Sequence, residues 1–282
     1  MEIKMTKELK FESPSFSARI KGMLGVDFYR LFHTPLFYIF LAIAAIIPAM
    51  VSAMTMMPDQ NGNTMEPLYS NVWQIIAASE SLYVIRSIAD YANMNMVFIF
   101  GGIMVSIFIG HDYRSGYVKQ LFTTHPKKQD YMISKTLVCA FAMACMCITY
   151  FIGGTVGGLL VNYDTTVNVG SLIIAILGKM VMSLGWASLY TFLNIIFRKY
   201  FGISIASSFF FGTGILIIGA AAVVESLSLP TYFLNLFLYG SSVNACLNSG
   251  IGTLAVCVLV SLAWTFIYNL AGTHVLNKSD VY

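Results

Sequence analysis

Long apolar runs are the feature that most limits how this chain can fold. Six of them reach about the 20 residues that a helix needs to cross about 30 Å of hydrocarbon. They cover residues 36–57, 91–110, 132–161, 170–197, 202–224 and 251–273. Only 10% of the residues are charged, whereas globular proteins contain about 25%. We therefore predict an all-α polytopic membrane protein with six transmembrane helices.

The distribution of basic residues predicts the orientation of these spans, because short cytoplasmic loops collect Lys and Arg. With both termini in the cytoplasm, fourteen of the sixteen basic residues lie on the cytoplasmic side. The outer side then holds Arg86 together with acidic residues, and Lys179 falls inside the fourth span. We therefore predict a multi-pass protein of the cell membrane, in contact with membrane lipid, with both termini inside.

Apolar residues recur at helical spacing ahead of the first span. They are Phe16, Ile20, Met23, Leu24, Phe28, Leu31 and Phe32, and charged residues take the positions between them. This pattern predicts a basic amphipathic helix in the inner membrane interface, and Thr34 with Pro35 can begin the first span. The alternative is a basic tail that only sets orientation. Residues 1–35 thus form the tail and interfacial helix, and residues 36–282 form one transmembrane domain.

The segment 110–135, between the second and third predicted spans, is strongly charged. Its apolar residues gather on one face of a short helix, because they fall at i, i+1, i+4 and i+5. These residues are Tyr117, Val118, Leu121 and Phe122. A second helix is predicted to start at Pro126, with Thr124 or His125 as its cap.

Lys127 and Lys128 occupy the first turn of that second helix, where basic residues oppose the helix dipole. Helix stability therefore does not account for them, and the residues alone leave two interpretations open. In the first, the segment is a charged topology anchor that contacts lipid phosphates. In the second, the apolar face of the short helix docks into a groove of a soluble partner.

The same segment resembles the cytoplasmic loop between the second and third spans of ABC-2 type transporter permeases. That loop carries, in order, an acidic residue, a glycine, a basic position, an apolar pair, a proline, an aromatic residue and a lysine. This sequence supplies Asp112, Gly116, Lys119, Leu121 with Phe122, Pro126, Tyr131 and Lys135. It departs from the pattern at Asp112, where the family usually has Glu, and at the Lys127-Lys128 pair, where Ser-Arg is common.

The resemblance implies a permease subunit of an ATP-driven exporter. It points in particular to small bacterial permeases for efflux of, or immunity to, antimicrobial peptides and drugs, in the bacterial inner membrane. In that family the loop is a coupling helix that sits in a cleft of a separate cytoplasmic ABC ATPase subunit, and the permease forms a dimer with an identical or paralogous second permease. ATP and Mg would bind to the ATPase, so this chain would bind no cofactor itself. The residues assigned to ATPase coupling are Asp112, Tyr113, Gly116, Tyr117, Val118, Lys119, Leu121 and Phe122.

The sequence shows no nucleotide site of its own. A P-loop needs two glycines five positions apart, followed by Lys and then Ser or Thr. Gly178 with Lys179 is the nearest candidate, but Met180 follows it and position 173 is Ile. The four histidines have no metal-site spacing, so we expect no catalytic residue, metal or nucleic-acid partner. Two other classes remain as alternatives: a secondary transporter, and a non-transporting immunity or anchor protein.

Lys179 lies about ten residues from the outer end of its span, roughly 15 Å deep at 1.5 Å per residue. A buried ammonium group needs a partner or water. Lys179 could snorkel outward toward Asp164, or it could line a translocation path or pair with a neighbouring span. We favour the second interpretation.

Closely spaced glycines in the third predicted span indicate a surface for helix packing. Gly153, Gly154, Gly157 and Gly158 form overlapping Gly-x-x-x-Gly steps, which allow close helix approach. We expect this surface to pack within one subunit rather than between two.

The outer stretches 72–78 with 82–85, and 229–239, are apolar but too short to span the membrane, and they predict interfacial or re-entrant helices.

Overall fold

The computed structural model describes residues 14–278 apart from 55–93, 125–126, 163, 165, 167, 229 and 248. In these residues the regular structure is entirely helical, which confirms the all-α fold. The helices are α1 (Phe16–Phe32), α2 (Pro35–Met54), α3 (Met96–Arg114), α4 (Tyr117–Thr124), α5 (Lys128–Leu160), α6 (Val169–Ile196), α7 (Phe201–Gly212), α8 (Ile215–Ser226), a 3-10 helix (Thr231–Leu236), α9 (Leu238–Asn244) and α10 (Ile251–Lys278).

Four helices are individually long and apolar enough to cross a membrane, namely α3, α5, α6 and α10. Within the described residues, two pairs of helices could each cross as one bent span. They are α1 with α2, bent by 65°, and α7 with α8, bent by 54°. The protein therefore has four to six candidate membrane spans among the described residues. The predicted count of six, and the placement of α1 in the interface, stay predictions.

Helix α1 begins and ends with local polar bonds. The Ser15 hydroxyl accepts a hydrogen bond from the backbone N–H of Ala18 (3.4 Å), and the Thr34 hydroxyl donates to the carbonyl of Arg30 (2.6 Å). Pro35 then starts α2, because its fixed φ suits the first turn of a helix. The predicted helix ahead of the first span is thus present, and its buried residues Met23 and Leu31 pack against the rest of the protein.

The glycine steps of α5 form the contact with α2. A Cβ atom added at Gly153 would lie 2.0 Å from the carbonyl oxygen of Ala45, and one added at Gly157 would lie 2.6 Å from the Cα atom of Ala49. Only hydrogen fits in these places, so the two backbones approach as closely as Gly-x-x-x-Gly surfaces allow. Gly153 and Gly157 thus contact α2 of the same chain, as packing within one subunit requires.

The predicted fifth span, 202–224, is not one continuous helix. It is divided into α7 and α8, and Gly214 between them has a φ of +72°. That left-handed conformation favours glycine. A Cβ atom at Gly214 would also lie 2.4 Å from the ring of Tyr239, so the neighbouring side chain further restricts the position to glycine.

A buried polar cluster holds α7 beside α3 and α6. The amide nitrogen of Asn194 donates to the hydroxyl of Ser106 (3.1 Å), and its amide oxygen accepts from Ser204. The hydroxyls of Ser106 and Ser208 are 2.8 Å apart. Since polar groups in an apolar interior need partners, this cluster determines how α7 sits before the break.

Short helices do occupy the predicted stretch 229–239, where the 3-10 helix is followed by α9. The indole N–H of Trp264 donates to the carbonyl of Leu236 (2.7 Å) and ties this segment to α10. Its depth in the membrane stays a prediction. The other stretches, 72–78 and 82–85, lie outside the described residues.

Candidate functional site

Helix α4 lies at one end of the bundle, which we call the α4 end. Gly116, with a φ of +73°, makes the turn from α3 into α4, in a conformation that glycine adopts without strain. Its carbonyl accepts the backbone N–H groups of Lys119 (3.1 Å) and Gln120 (3.2 Å), which start the helix. Thr124 ends α4 by donating to the carbonyls of Gln120 and Leu121. The next helix begins at Lys128 with Lys127 at its N-cap position, so the predicted start at Pro126 and cap at Thr124 or His125 are wrong. His125 and Pro126 lie outside the described residues.

The apolar face of α4 is turned toward the protein. Val118 is only 1% exposed, and Leu121 and Phe122 are half-buried beside it. The cluster around Val118 contains Met23, Tyr131, Met132, Ile195 and Leu276. These residues come from α1 and from the ends of α5, α6 and α10, and α4 covers the apolar site that they form. Val118 is therefore a packing residue here, which differs from its predicted role in docking.

The opposite face of α4 is polar and exposed. It carries Lys119, Gln120, Thr123 and Thr124. The Thr123 hydroxyl donates to the carbonyl of Gln120 (2.7 Å), whereas the side chains of Lys119 and Gln120 extend outward. A partner that approached the α4 end would meet this polar face first.

Four charged residues, three of them buried and one half-buried, connect the elements around α4, and we call them the charge network. They are Asp27 and Arg30 of α1, Asp112 of α3 and Lys135 of α5. The ammonium group of Lys135 lies 2.6 Å from Asp27 and 2.7 Å from Asp112. Arg30 donates to Asp112 and lies 3.9 Å from Asp27. The two carboxylates and two cations balance, which is the condition for keeping such groups away from water.

Two neutral side chains also donate hydrogen bonds to the carboxylates of the charge network. Ser134 donates its hydroxyl to Asp27 (2.7 Å), and Tyr131 donates its phenol to Asp112 (3.3 Å). Outside the network, Arg19 of α1 pairs with Asp130 in the first turn of α5 (2.7 Å). The carboxylate of Asp130 also suits the positive end of the helix dipole there. Helix α1 is thus attached to α5 at two places.

Tyr117 joins α4 to the charge network. The guanidinium carbon of Arg30 lies 4.3 Å from the centre of the Tyr117 ring, and the ammonium nitrogen of Lys135 lies 5.6 Å from it. Both distances are within the range of cation–π attraction. Burial is the main reason that the pKa of Tyr117 is raised. Burial acts to lower the pKa of Arg30, but the hydrogen bond and charge of Asp112 help to outweigh it, so that pKa is raised.

The structure places the remaining predicted coupling residues at different depths. Asp112 is fully buried in the charge network, so it does not face a partner. Tyr113 is half-buried beneath α4, and Gly116 shapes the turn.

The role of Asp27 and Arg30 was missed from the sequence, where they appear only as polar positions of an amphipathic helix. Their i, i+3 spacing and opposite charges were the available signal.

Lys179 belongs to a different part of the molecule. It is 1% exposed, and its ammonium group donates to the amide oxygen of Asn95 (2.7 Å) and to the carbonyl of Ser242. Both acceptors are neutral and lie on neighbouring elements, so the lysine does not snorkel to Asp164. The role of Lys179 in a translocation path stays a prediction.

Within the part of the chain that the structure describes, no three or more His, Cys, Asp or Glu side chains are grouped to hold a metal ion. Comparison of the sequence with models of known protein families finds no match. Comparison with curated proteins finds none either. The functional conclusion therefore rests on the residues and the geometry of the α4 end. There, a short helix with a polar outer face is bound by packing and charge to the helices beneath it.

Proposed function

We propose that this protein is the membrane subunit of an ATP-driven exporter of the ABC-2 type. In this function α4 is the coupling helix, which receives the movement of a separate cytoplasmic ATPase subunit and passes it to the membrane helices. The observation that carries the proposal is the two-sided character of α4. Its outer face is polar and exposed, whereas its inner face packs on α1, α5, α6 and α10.

The charge network supports transmission of movement from α4. Separating one member of a buried ion pair from its partners costs about 3–5 kcal/mol. Helix α4 contacts the network through Tyr117, whose ring lies beside Arg30 and Lys135, and through Phe122, whose ring centre lies 5.6 Å from that of Tyr131 on α5. A displacement of α4 at these contacts is therefore passed to α3 and α5, which carry Asp112 and Lys135. Those two helices are candidate membrane spans. The network thus acts as a stiff link between a surface helix and the spans.

The distribution of basic residues supports a cytoplasmic position for the α4 end, because Lys119, Lys127 and Lys128 lie there with the basic residues of α1. In this function both termini are in the cytoplasm of a bacterial cell. A second permease completes the translocation path, and ATP with Mg binds the ATPase subunit. The cargo is a peptide, drug or other amphipathic compound, since the spans are almost wholly apolar.

A charge reversal on the outer face of α4 tests this proposal. We expect Lys119→Glu combined with Gln120→Glu to lower the ATP hydrolysis that co-purifies with the tagged protein at least about tenfold, which corresponds to about 1.4 kcal/mol of association. Both side chains are exposed, so the thermal midpoint of the protein should not change measurably. The measurement is ATP hydrolysis per mole of tagged protein, purified in mild detergent from its native membrane.

The matched control is Lys21→Glu, which reverses the charge of an exposed lysine on α1 rather than on α4. It should leave co-purifying ATP hydrolysis within about twofold of the unchanged protein. The proposal fails if the unchanged protein brings down no ATP hydrolysis. It also fails if the α4 variant retains as much activity as the α1 control.

A further inference from the structure

A partly open aromatic cavity lies where the predicted fifth span is broken. Its volume is about 200 Å³, and its walls come from α6, the end of α7, α8, α10 and the segment around 237–239. Six aromatic side chains line it: Trp186, Phe211, Phe237, Tyr239, Trp264 and Tyr268. The other lining residues are aliphatic or glycine, so in the described part of the chain no charged side chain faces this space.

Hydrogen bonds and ring stacking fix the orientation of the two tryptophans in the cavity wall. The indole N–H of Trp186 donates to the hydroxyl of Ser242 (2.8 Å), and its ring stacks on Phe98 at 5.2 Å between centres. The indole N–H of Trp264 donates to the carbonyl of Leu236, and its ring stacks on Tyr268 at 5.1 Å. Each polar N–H group is therefore already bonded, so the rings contribute apolar aromatic surface to the cavity.

Helix α8 forms another wall of the cavity. Ile217 and Ala220 belong to α8, which follows the left-handed Gly214 after a bend of 54°. Helix α8 thus reaches the cavity through a break rather than as a continuation of α7. A bound group would rest between fixed rings on α6 and α10 and a helix whose direction is set at Gly214.

We propose that this cavity binds an uncharged aromatic group of one or two rings. Its size fits this class, because a dry cavity of about 150 Å³ accepts benzene. Aromatic walls favour a ring over a saturated group of equal size through edge and offset contacts. An ionised group is disfavoured because no counter-charge lines the space. The site is independent of α4 and of any ATPase subunit, so it goes beyond the proposed function.

Tryptophan fluorescence provides a direct test. The chain has three tryptophans, so the Trp73→Phe variant retains Trp186 and Trp264, both in the cavity wall. Bromobenzene, whose heavy atom quenches nearby indoles, is the probe, and bromocyclohexane is the saturated control of nearly equal size. We expect saturable quenching by bromobenzene, with an apparent affinity at least about tenfold higher than that of bromocyclohexane.

A cavity-filling variant locates the site. Ala220→Phe places a ring in the cavity and should weaken bromobenzene binding at least about tenfold. The matched control is Ala222→Phe, on the same helix but exposed and away from the lining, which should bind within about twofold of the background variant.

Equal quenching by the two probes would overturn the proposal and indicate a space for any apolar chain, including lipid tails. Equal binding by the two alanine variants would also overturn it and indicate partition into detergent. The comparison of the two probes does not need a filling variant, so it stands even if Ala220→Phe fails to fold.

Discussion

Replacing Asp112 with alanine is expected to lower the free energy of unfolding by about 3–5 kcal/mol, the usual cost of removing one partner from a buried ion pair. Asp112 accepts hydrogen bonds from Arg30 and Tyr131 and lies 2.7 Å from Lys135. Without it, the buried Lys135 and the half-buried Arg30 share the single carboxylate of Asp27. The measurement is the thermal or denaturant unfolding of the purified protein in detergent.

The charge balance of the network makes this prediction specific. The double variant Asp112→Asn with Arg30→Gln leaves Asp27 and Lys135 as a balanced pair at 2.6 Å. We therefore expect it to unfold later than Asp112→Asn alone, with a coupling energy of about 0.5–3 kcal/mol between the two sites. Glu225→Ala removes an exposed carboxylate and is the control, with an effect within about 0.5 kcal/mol. If Asp112→Ala behaves like Glu225→Ala, the network does not stabilise the α4 end.

A buried charge network is not explained by stability alone, because apolar residues of similar volume often serve as well. Its members instead require a particular arrangement of α1, α3 and α5, since Asp112 of α3 meets donors from α1 and α5, and Asp27 of α1 meets donors from α5. The same network that makes Asp112→Ala destabilising also gives α4 a fixed relation to the spans. This positional role agrees with the proposed coupling function, in which movement of one short helix has to reach several others.

The apolar runs predicted where the helices lie because twenty consecutive apolar residues have few other stable forms in a protein. Helix ends were less predictable. A short helix from Pro126 and a third span from residue 132 were predicted separately, but the structure has one helix, α5, which begins at Lys128. The additional turn is polar, and its side chains are bonded by other helices: Asp130 pairs with Arg19, and Lys128 donates to the carbonyl of Leu276. Such distant partners leave no trace in local hydropathy.

In the candidate site, too, local sequence patterns predicted a helix face but not the residues, distant in sequence, that it contacts. Helical spacing identified the apolar face of α4, but spacing does not say whether that face meets a partner or the same chain. Val118 belongs to a buried cluster that also includes residues more than 70 positions away, such as Ile195 and Leu276. The break at Gly214 was less hidden, since two glycines flank Thr213. Glycine is common in membrane helices, however, and its presence alone does not indicate a bend.

The second large effect is expected at Gly153, where α5 meets α2. Gly153→Val should destabilise the protein by at least about 1–3 kcal/mol, the range for overpacking a tight contact. The obstructing atom is the backbone carbonyl oxygen of Ala45, which cannot turn aside as a flexible side chain would. Gly153→Ala should show a smaller loss in the same direction, because even one Cβ atom would lie 2.0 Å from that oxygen. Thermal unfolding in detergent measures both.

Gly219→Val is the matched control for this contact, since a Cβ atom at Gly219 has nothing within 4 Å. It should unfold close to the unchanged protein, because open space accepts the added carbons. The two substitutions also distinguish packing within a subunit from packing between subunits. If Gly153→Val left the unfolding midpoint unchanged but reduced the mass of the purified particle, the glycine surface would be a seam between copies of the chain. In that case, the tight contact with Ala45 and Ala49 would not be the reason that glycine is needed at positions 153 and 157.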